Sequence, residues 1–281
     1  MRFVEALAFA KDELAKAGVA SYEADAYWLI CHAAEITKTE LLTRMSFDLG
    51  LTEAAHAKFL EALQRRVSRE PLQHITGSAA FLDFEVSVGP GVFIPRPETE
   101  VLVGVSLDLI RDKPSPRVLE VGSGSGIISI AISRARADAD VLALEASAEA
   151  IPYLRKNLAS LAPAVVLREG VFPDAAFDLM GSLDLLVSNP PYIPESAIPL
   201  DPEVYLHDPK LALYSGEDGL DLIRDLVSIG HELLVDGGAI ALEHADGQSD
   251  AIVELLLAQG FKEVMAHKDL TDRFRTISAR K

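Results

Sequence analysis

Up to about residue 72 the apolar positions recur every three or four residues, the period of a helix with one buried face. Val4, Leu7, Ala8, Leu14 and Ala15 keep this spacing until Gly18 interrupts it, as glycine does past a helix end. Ser21 stands where it can cap a second helix that sets Ala24, Trp28 and Cys31 on one face. Thr37 and Glu40 have the spacing of a capping box, in which each side chain satisfies a free backbone N–H near the start of the helix. Thr52 can cap a longer helix carrying Ala55, Phe59, Leu63 and Val67. Residues 1–72 are therefore expected to form a small helical domain. It holds no cluster of catalytic residue types, which points to docking or packing rather than chemistry.

From Glu70 the texture changes. Phe81, Phe84, Val86 and Val88 alternate with smaller or polar neighbours before a run of glycine and proline, the pattern of a β-hairpin leading into turns. Residues 73–95 read as a hairpin linker, and 96–281 as a second domain. There, short β-rich runs at 117–121, 141–145, 165–169 and 183–188 are interspersed with helical segments, and another, 239–245, follows a Gly237-Gly238 turn. A helix is expected over 249–259, then two strands forming an antiparallel edge. Such alternation implies an α/β domain with a mostly parallel sheet covered on both faces.

Composition narrows the function classes. The net charge of −17 argues against binding duplex nucleic acid, which needs clustered Lys and Arg to neutralise phosphates. The single cysteine, Cys31, has no internal disulfide partner and reads as a buried thiol in a reducing compartment. No run approaches the roughly 18 apolar residues of a membrane span, and the opening residues carry acids without a long apolar core. A cytoplasmic protein with no membrane association is expected. His32 and His56 lack a second ligand at metal spacing, so no metal is expected.

Two stretches carry chemistry. In "VLEVGSGSGIISIAI", Gly122, Gly124 and Gly126 lie between a strand and a helix, with Ser123 and Ser125 interleaved. Glycines there let a ligand approach the backbone at a helix N-terminus. The spacing is G-x-G-x-G, not the G-x-G-x-x-G of dinucleotide sites. Glu120, just before it, would repel a pyrophosphate yet could hold a cationic amino group, which favours S-adenosylmethionine as cofactor. Glu145 ends the second strand, where a carboxylate can accept ribose hydroxyls.

The second stretch is "DLLVSNPPYIP". An apolar strand stops at Asn189 and meets Pro190, Pro191 and Tyr192, so the chain leaves the sheet stiffly at the edge where open α/β sheets bind ligands. An amide nitrogen is a poor nucleophile because its lone pair is delocalised. Two acceptors that hold its N–H groups can aim that lone pair at a methyl donor and stabilise the charge that develops. The Asn189 side-chain oxygen and the Pro190 carbonyl suit this role, with Tyr192 packing on the planar substrate group or facing the sulfonium.

"NPPY" downstream of such a glycine loop resembles amino-methyltransferases that act on planar NH2 groups. "IPRPETE" (94–100), preceded by "ITG" (75–77), narrows the resemblance to the release factor glutamine methyltransferase family, often called HemK or PrmC. It continues through "EDGLDLIRDL" (217–226) and "DGGAIALEHADGQ" (236–248). The resemblance implies a Rossmann-like, seven-stranded S-adenosylmethionine-dependent methyltransferase domain behind a small N-terminal helical domain that grips the partner. It implies a peptide chain release factor as substrate, methylated on the glutamine of its Gly-Gly-Gln motif, and we expect the enzyme to be a monomer. Gly122 to Gly126 and Glu145 would hold the cofactor, and Asn189 to Tyr192 the glutamine amide, with Asn189 close to both ligands. Arg96, Pro97, Glu98 and Thr99 would lie against the active-site wall, with Arg96 and Glu98 open between a structural salt bridge and ligand contact.

The sequence also departs from the family pattern. Glu stands at 120 and 145 where Asp is frequent. Gly170-Val171-Phe172 replaces Gly-Asp, so Phe172 would meet the adenine ring by apolar contact. "EHADGQ" leaves the role of His244 open. The alternatives are a glutamine methyltransferase acting on a ribosomal protein, a DNA adenine methyltransferase, which would need a basic cleft, and a binding module without turnover.

Overall fold

The computed structural model describes residues 1–281. The chain forms two compact units, one comprising Met1–Ser78 with Pro199–His207, the other Ala79–Ile198 with Asp208–Lys281.

The first unit is helical, with α1 (Phe3–Lys16), α2 (Tyr22–Ala34), α3 (Lys38–Ser46), α4 (Glu53–Val67) and α5 (Leu72–Thr76). Phe3, Leu14, Leu29, Ile30, Leu41 and Phe59 are fully buried between them. Thr37 and Glu40 form the expected capping box, and Thr52 Oγ1 accepts the Ala55 N–H at 3.2 Å. Ser21 occupies the N-cap of α2 but its side chain makes no capping bond.

Two helix faces differ from those expected. The buried stripe of α1 is Phe3, Ala6, Leu7, Ala10 and Leu14, which leaves Val4, Ala8 and Ala15 outside. In α2 it is Asp25, Ala26, Leu29, Ile30, Cys31 and Ala33, while Ala24 faces solvent and Trp28 is 52% exposed. The cause in α2 is a polar residue turned inward. Asp25 Oδ2 meets Arg66 Nε at 2.7 Å, with both side chains buried. Arg66 Nη1 also reaches Glu203 Oε1 at 2.8 Å, and Glu203 pairs with Arg69. This buried cluster is why Pro199–His207 belongs to the helical unit, although the sequence places it inside 96–281. Cys31 is buried and unpaired, and burial raises its thiol pKa.

In the second unit, β1 (Ser78–Phe81) and β2 (Phe84–Ser87) make the expected hairpin. Its Phe81, Phe84 and Val86 share one core cluster with Val103, Val118, Ile130 and Leu154. The hairpin read as a linker thus also contributes to this unit's core. There follow α6 (Thr99–Leu109), β3 (Arg117–Val121), α7 (Ile127–Ala135), β4 (Asp140–Glu145), α8 (Ile151–Leu161), β5 (Val166–Glu169) and β6 (Leu183–Ser188). The chain then supplies α9 (Pro202–His207) to the first unit and returns with α10 (Asp221–Leu233), β7 (Leu234–Glu243), α11 (Ser249–Gln259), β8 (Lys262–Lys268) and β9 (Phe274–Arg280).

The seven strands lie in the order β5-β4-β3-β6-β7-β9-β8, parallel except for β9. Gly237 and Gly238 are not a turn before β7 but lie within it, beside a register shift against β6. A side chain at 238 would come within 3.0 Å of the Leu183 carbonyl. Strand order reverses at β3, between β4 and β6. That is the switch point at whose carboxyl edge α/β sheets bind ligands.

The turn from β3 into α7 is held from below. Gly126, the N-cap of α7, offers no side chain, and Glu120 replaces it by accepting the Ser129 N–H at 2.9 Å and the Ser129 hydroxyl. Glu120 is 1% exposed, and desolvation pushes its pKa up to about 7.

Two predictions follow from this architecture. Breaking a buried ion pair by removing one partner strands the other, so Arg66→Ala should cost about 3 kcal/mol, whereas Lys16→Ala, on the surface, should leave the transition in place. Urea unfolding followed by fluorescence of Trp28, the sole tryptophan, reports the first unit directly. Similar midpoints for the two variants would contradict the assigned role. For Glu120, the unfolded chain releases the proton near pH 4.5 and the folded chain near 7. Between these values the folded state binds more protons, so this group makes stability fall as pH rises. Relative to Glu120→Gln, the wild type should lose on the order of 3 kcal/mol across that window. Parallel pH profiles of the two proteins would exclude Glu120 as the cause.

Candidate active site

The carboxyl ends of β3 and β6 are neighbours, with Val121 in register with Ser188. The buried Ser188 hydroxyl donates to the Val121 carbonyl at 2.7 Å. The next residues on each strand are Gly122 and Asn189, so the two chemical motifs start side by side.

The three loop glycines have different reasons to be glycine. All have positive φ, at +71°, +55° and +88° for Gly122, Gly124 and Gly126. A Cβ on Gly122 or Gly124 would meet nothing within 4 Å, whereas one on Gly126 would lie 2.6 Å from Leu154 Cδ1 of α8. The third glycine serves helix packing, and the first two leave an open face along the backbone that side chains would fill. That face fits a ligand pressed against the main chain. Ser123 and Ser125 are buried. The Ser123 hydroxyl points inward to the Leu144 carbonyl at 3.3 Å, and Asn157 Nδ2 of α8 holds both the Ser125 and Ser87 carbonyls at 2.9 Å. The hairpin thereby braces the loop.

Glu145 ends β4 and is 7% exposed. Its Oε2 accepts the Gly124 N–H at 2.7 Å, and its Oε1 accepts those of Ala146 at 2.9 Å and Ser147 at 2.7 Å. A carboxylate offers about four lone-pair positions, so three are in use. One further donor can be accepted without rearrangement, while a pair of hydroxyls requires one amide to yield. Phe172 is buried with Val121, Leu142, Leu144 and Ala176, whereas Val171 beside it is 64% exposed.

At the β6 corner, Pro190 is buried, and Asn189, Pro191 and Tyr192 are half-buried. Burial and the nearby Glu243 raise the Tyr192 phenol far above its ordinary pKa, so it stays neutral. The corner is fixed from two sides. Ile193 exchanges backbone bonds with Leu213 at 2.8 Å and Ser215 at 3.1 Å. The Tyr192 carbonyl accepts Gln248 Nε2 at 3.0 Å, and any side chain at Gly219 would come within 2.2 Å of that carbonyl. These contacts explain the glycine of "EDGLDLIRDL" and the glutamine of "EHADGQ".

The structure gives Thr99, expected at the wall of the site, a partner that sequence reasoning did not place, Glu243. Thr99 opens α6 and Glu243 ends β7; they are 1% and 2% exposed. The Thr99 hydroxyl donates to Glu243 Oε2 at 2.8 Å, and Asn189 Nδ2 donates to Thr99 Oγ1 at 3.2 Å. Desolvation, with repulsion from Glu98, pushes Glu243 up to about 7 despite its hydrogen bonds and Arg275. A carboxylate at the carboxyl end of the strand beside β6 is the signal in the sequence, with His244 next to it. That histidine is fully buried, with Nδ1 2.8 Å from the Ala245 carbonyl and Nε2 3.4 Å from the Ser249 hydroxyl, a packing arrangement. Arg96 forms a salt bridge with the buried Asp208 at 2.7 Å and lies over the Phe93 ring.

Residues 5–77 match the PrmC N-terminal domain, and residues 89–201 match the methyltransferase small domain. The Release factor glutamine methyltransferase of Streptomyces coelicolor is 42% identical over 98% of this chain and 96% of its own length. That of Corynebacterium glutamicum is 40% identical over 99% and 98%. Among solved structures, a methyltransferase from Pyrococcus furiosus shares the fold, with a TM-score of 0.55 and 17% identity over 82% of this chain and 99% of that one. With relatives this similar along nearly its whole length, the chain belongs to the release factor glutamine methyltransferase family.

Proposed function

We propose that this chain methylates the side-chain nitrogen of the glutamine in the Gly-Gly-Gln motif of peptide chain release factors, using S-adenosylmethionine. The observation that carries this reading is the fixed juxtaposition of an open glycine loop and a rigid carboxamide-proline corner at the sheet's switch point. When bound, the cofactor supplies a methyl group activated by a sulfonium. Gly122 and Gly124 give it a backbone face, Glu145 accepts a ribose hydroxyl, and Phe172 with the exposed Val171 offers apolar surface to the adenine. Glu120 orders the loop through Ser129 and lies where a cofactor ammonium would favour its charged form.

The substrate glutamine presents two N–H groups. Asn189 Oδ1 accepts one and the Pro190 carbonyl the other, aiming the nitrogen lone pair at the methyl carbon. Attack by that lone pair on the methyl carbon would leave the C–S electron pair on the cofactor's sulfur. The surplus proton on nitrogen passes to water. No strong base is needed, and the neutral Tyr192 and stiff Pro191 confine the planar amide. Preorganised acceptors of this kind cost nothing to reorient during the reaction.

The charge of −17 favours a protein substrate over DNA. No helix is long and apolar enough to cross a membrane, and a monomer acting in the cytoplasm completes the reading.

Incubation with a purified release factor and labelled cofactor should add one methyl group to the Gly-Gly-Gln peptide, located by mass. Label appearing on a ribosomal protein or on DNA alone would overturn the proposal. Asn189→Ala should lower turnover about 10²–10³-fold while cofactor affinity, read by calorimetry, changes far less. Glu145→Ala should do the reverse, weakening cofactor affinity with turnover at saturation largely kept. Matching losses of affinity and turnover in both variants would contradict the division of roles.

A further inference from the structure

We propose that Thr99 and Glu243 are positioning residues that fix which end of the Asn189 carboxamide faces the substrate. The inference rests on the reading above, in which Asn189 Oδ1 receives a substrate N–H. A carboxamide is nearly symmetric in shape, and rotation by half a turn exchanges an acceptor for a donor. With the donor end forward, Asn189 would repel the glutamine NH2 instead of holding it. The strand end and Pro190 fix where the group sits but not which way it faces.

The hydrogen-bond chain supplies that choice. Charged Glu243 can only accept, and it takes the single hydroxyl proton of Thr99 at 2.8 Å. Thr99 Oγ1 can then only accept toward Asn189, 3.2 Å away, so the atom it meets must be the NH2. The Asn189 amide also stabilises the charged form of Glu243 directly. A flipped Asn189 would set its oxygen against two acceptors, leaving buried groups unpaired. The Oδ1 is thereby turned to the other side of the group. Glu98 disfavours and Arg275 favours charge on Glu243, whose titration near pH 7 makes pH 8 the proper assay condition. Neither Thr99 nor Glu243 needs to touch substrate or cofactor to do this.

Steady-state methylation of a release factor at pH 8 with saturating cofactor, together with cofactor binding by calorimetry, tests the relay. Thr99→Val keeps the shape and removes the hydroxyl. It should lower kcat between about 10- and 100-fold, with KM and cofactor affinity within about threefold of wild type. Thr99→Ser, which retains the hydroxyl, should restore most of the loss. Glu243→Gln gives the relay a competing donor and should lower kcat similarly, which keeps the test available should Thr99→Val not fold. The relay is overturned if Glu243→Gln keeps kcat within about threefold, if Thr99→Ser is as impaired as Thr99→Val, or if cofactor affinity falls in step with turnover. A wild-type protein that leaves the release factor unmethylated overturns both the function and the relay. An active wild type with Thr99→Val unimpaired overturns the relay alone.

Discussion

The pairing of β3 with β6 is the constraint on which the site depends. These strands are distant in sequence, yet their register sets Val121 opposite Ser188 and a buried hydroxyl bond locks their ends. A slip of one residue would reverse the facing of every later side chain, carrying Asn189 away from the glycine loop. The apolar residues of both strands are buried on both sides of the sheet, so the core enforces the same register that the site requires.

Around that pairing, each motif is braced by a part of the fold without chemistry of its own. The hairpin reaches the glycine loop through Asn157. Gln248 and Gly219 hold the main chain at Tyr192. The candidate site residues thus sit on short loops whose backbones have little freedom, a setting suited to orientation and fixed dipoles.

Much of this was legible in the sequence where local chemistry dictates the outcome. The glycine loop, the asparagine-proline corner, the capping box at Thr37 and the order of β-rich runs depend on near neighbours, and the sheet follows from their alternation. What was illegible depends on partners far along the chain. Asp25 faces inward only because Arg66 meets it, so an apolar count put Trp28 on the wrong side of α2. Glu120 reads as a ligand partner by its place before the loop, and its further bonds to Ser129 at the start of α7 are not visible in that local pattern. Gly237 and Gly238 look like a turn but lie inside β7, where Gly238 leaves room for the neighbouring Leu183 carbonyl of β6. Thr99 and Glu243 come together across 144 positions, a distance no local pattern spans.

The membership of Pro199–His207 in the helical unit has a consequence for how such a protein can be inherited. The chain visits the helices twice, and the second visit begins shortly after the proline corner. Neither unit is then a contiguous piece of the gene, and a single splice cannot exchange the helical unit while keeping Glu203 with its arginines. Wholesale replacement of the helical unit would need two coordinated joins, which steers change in that unit toward point substitutions.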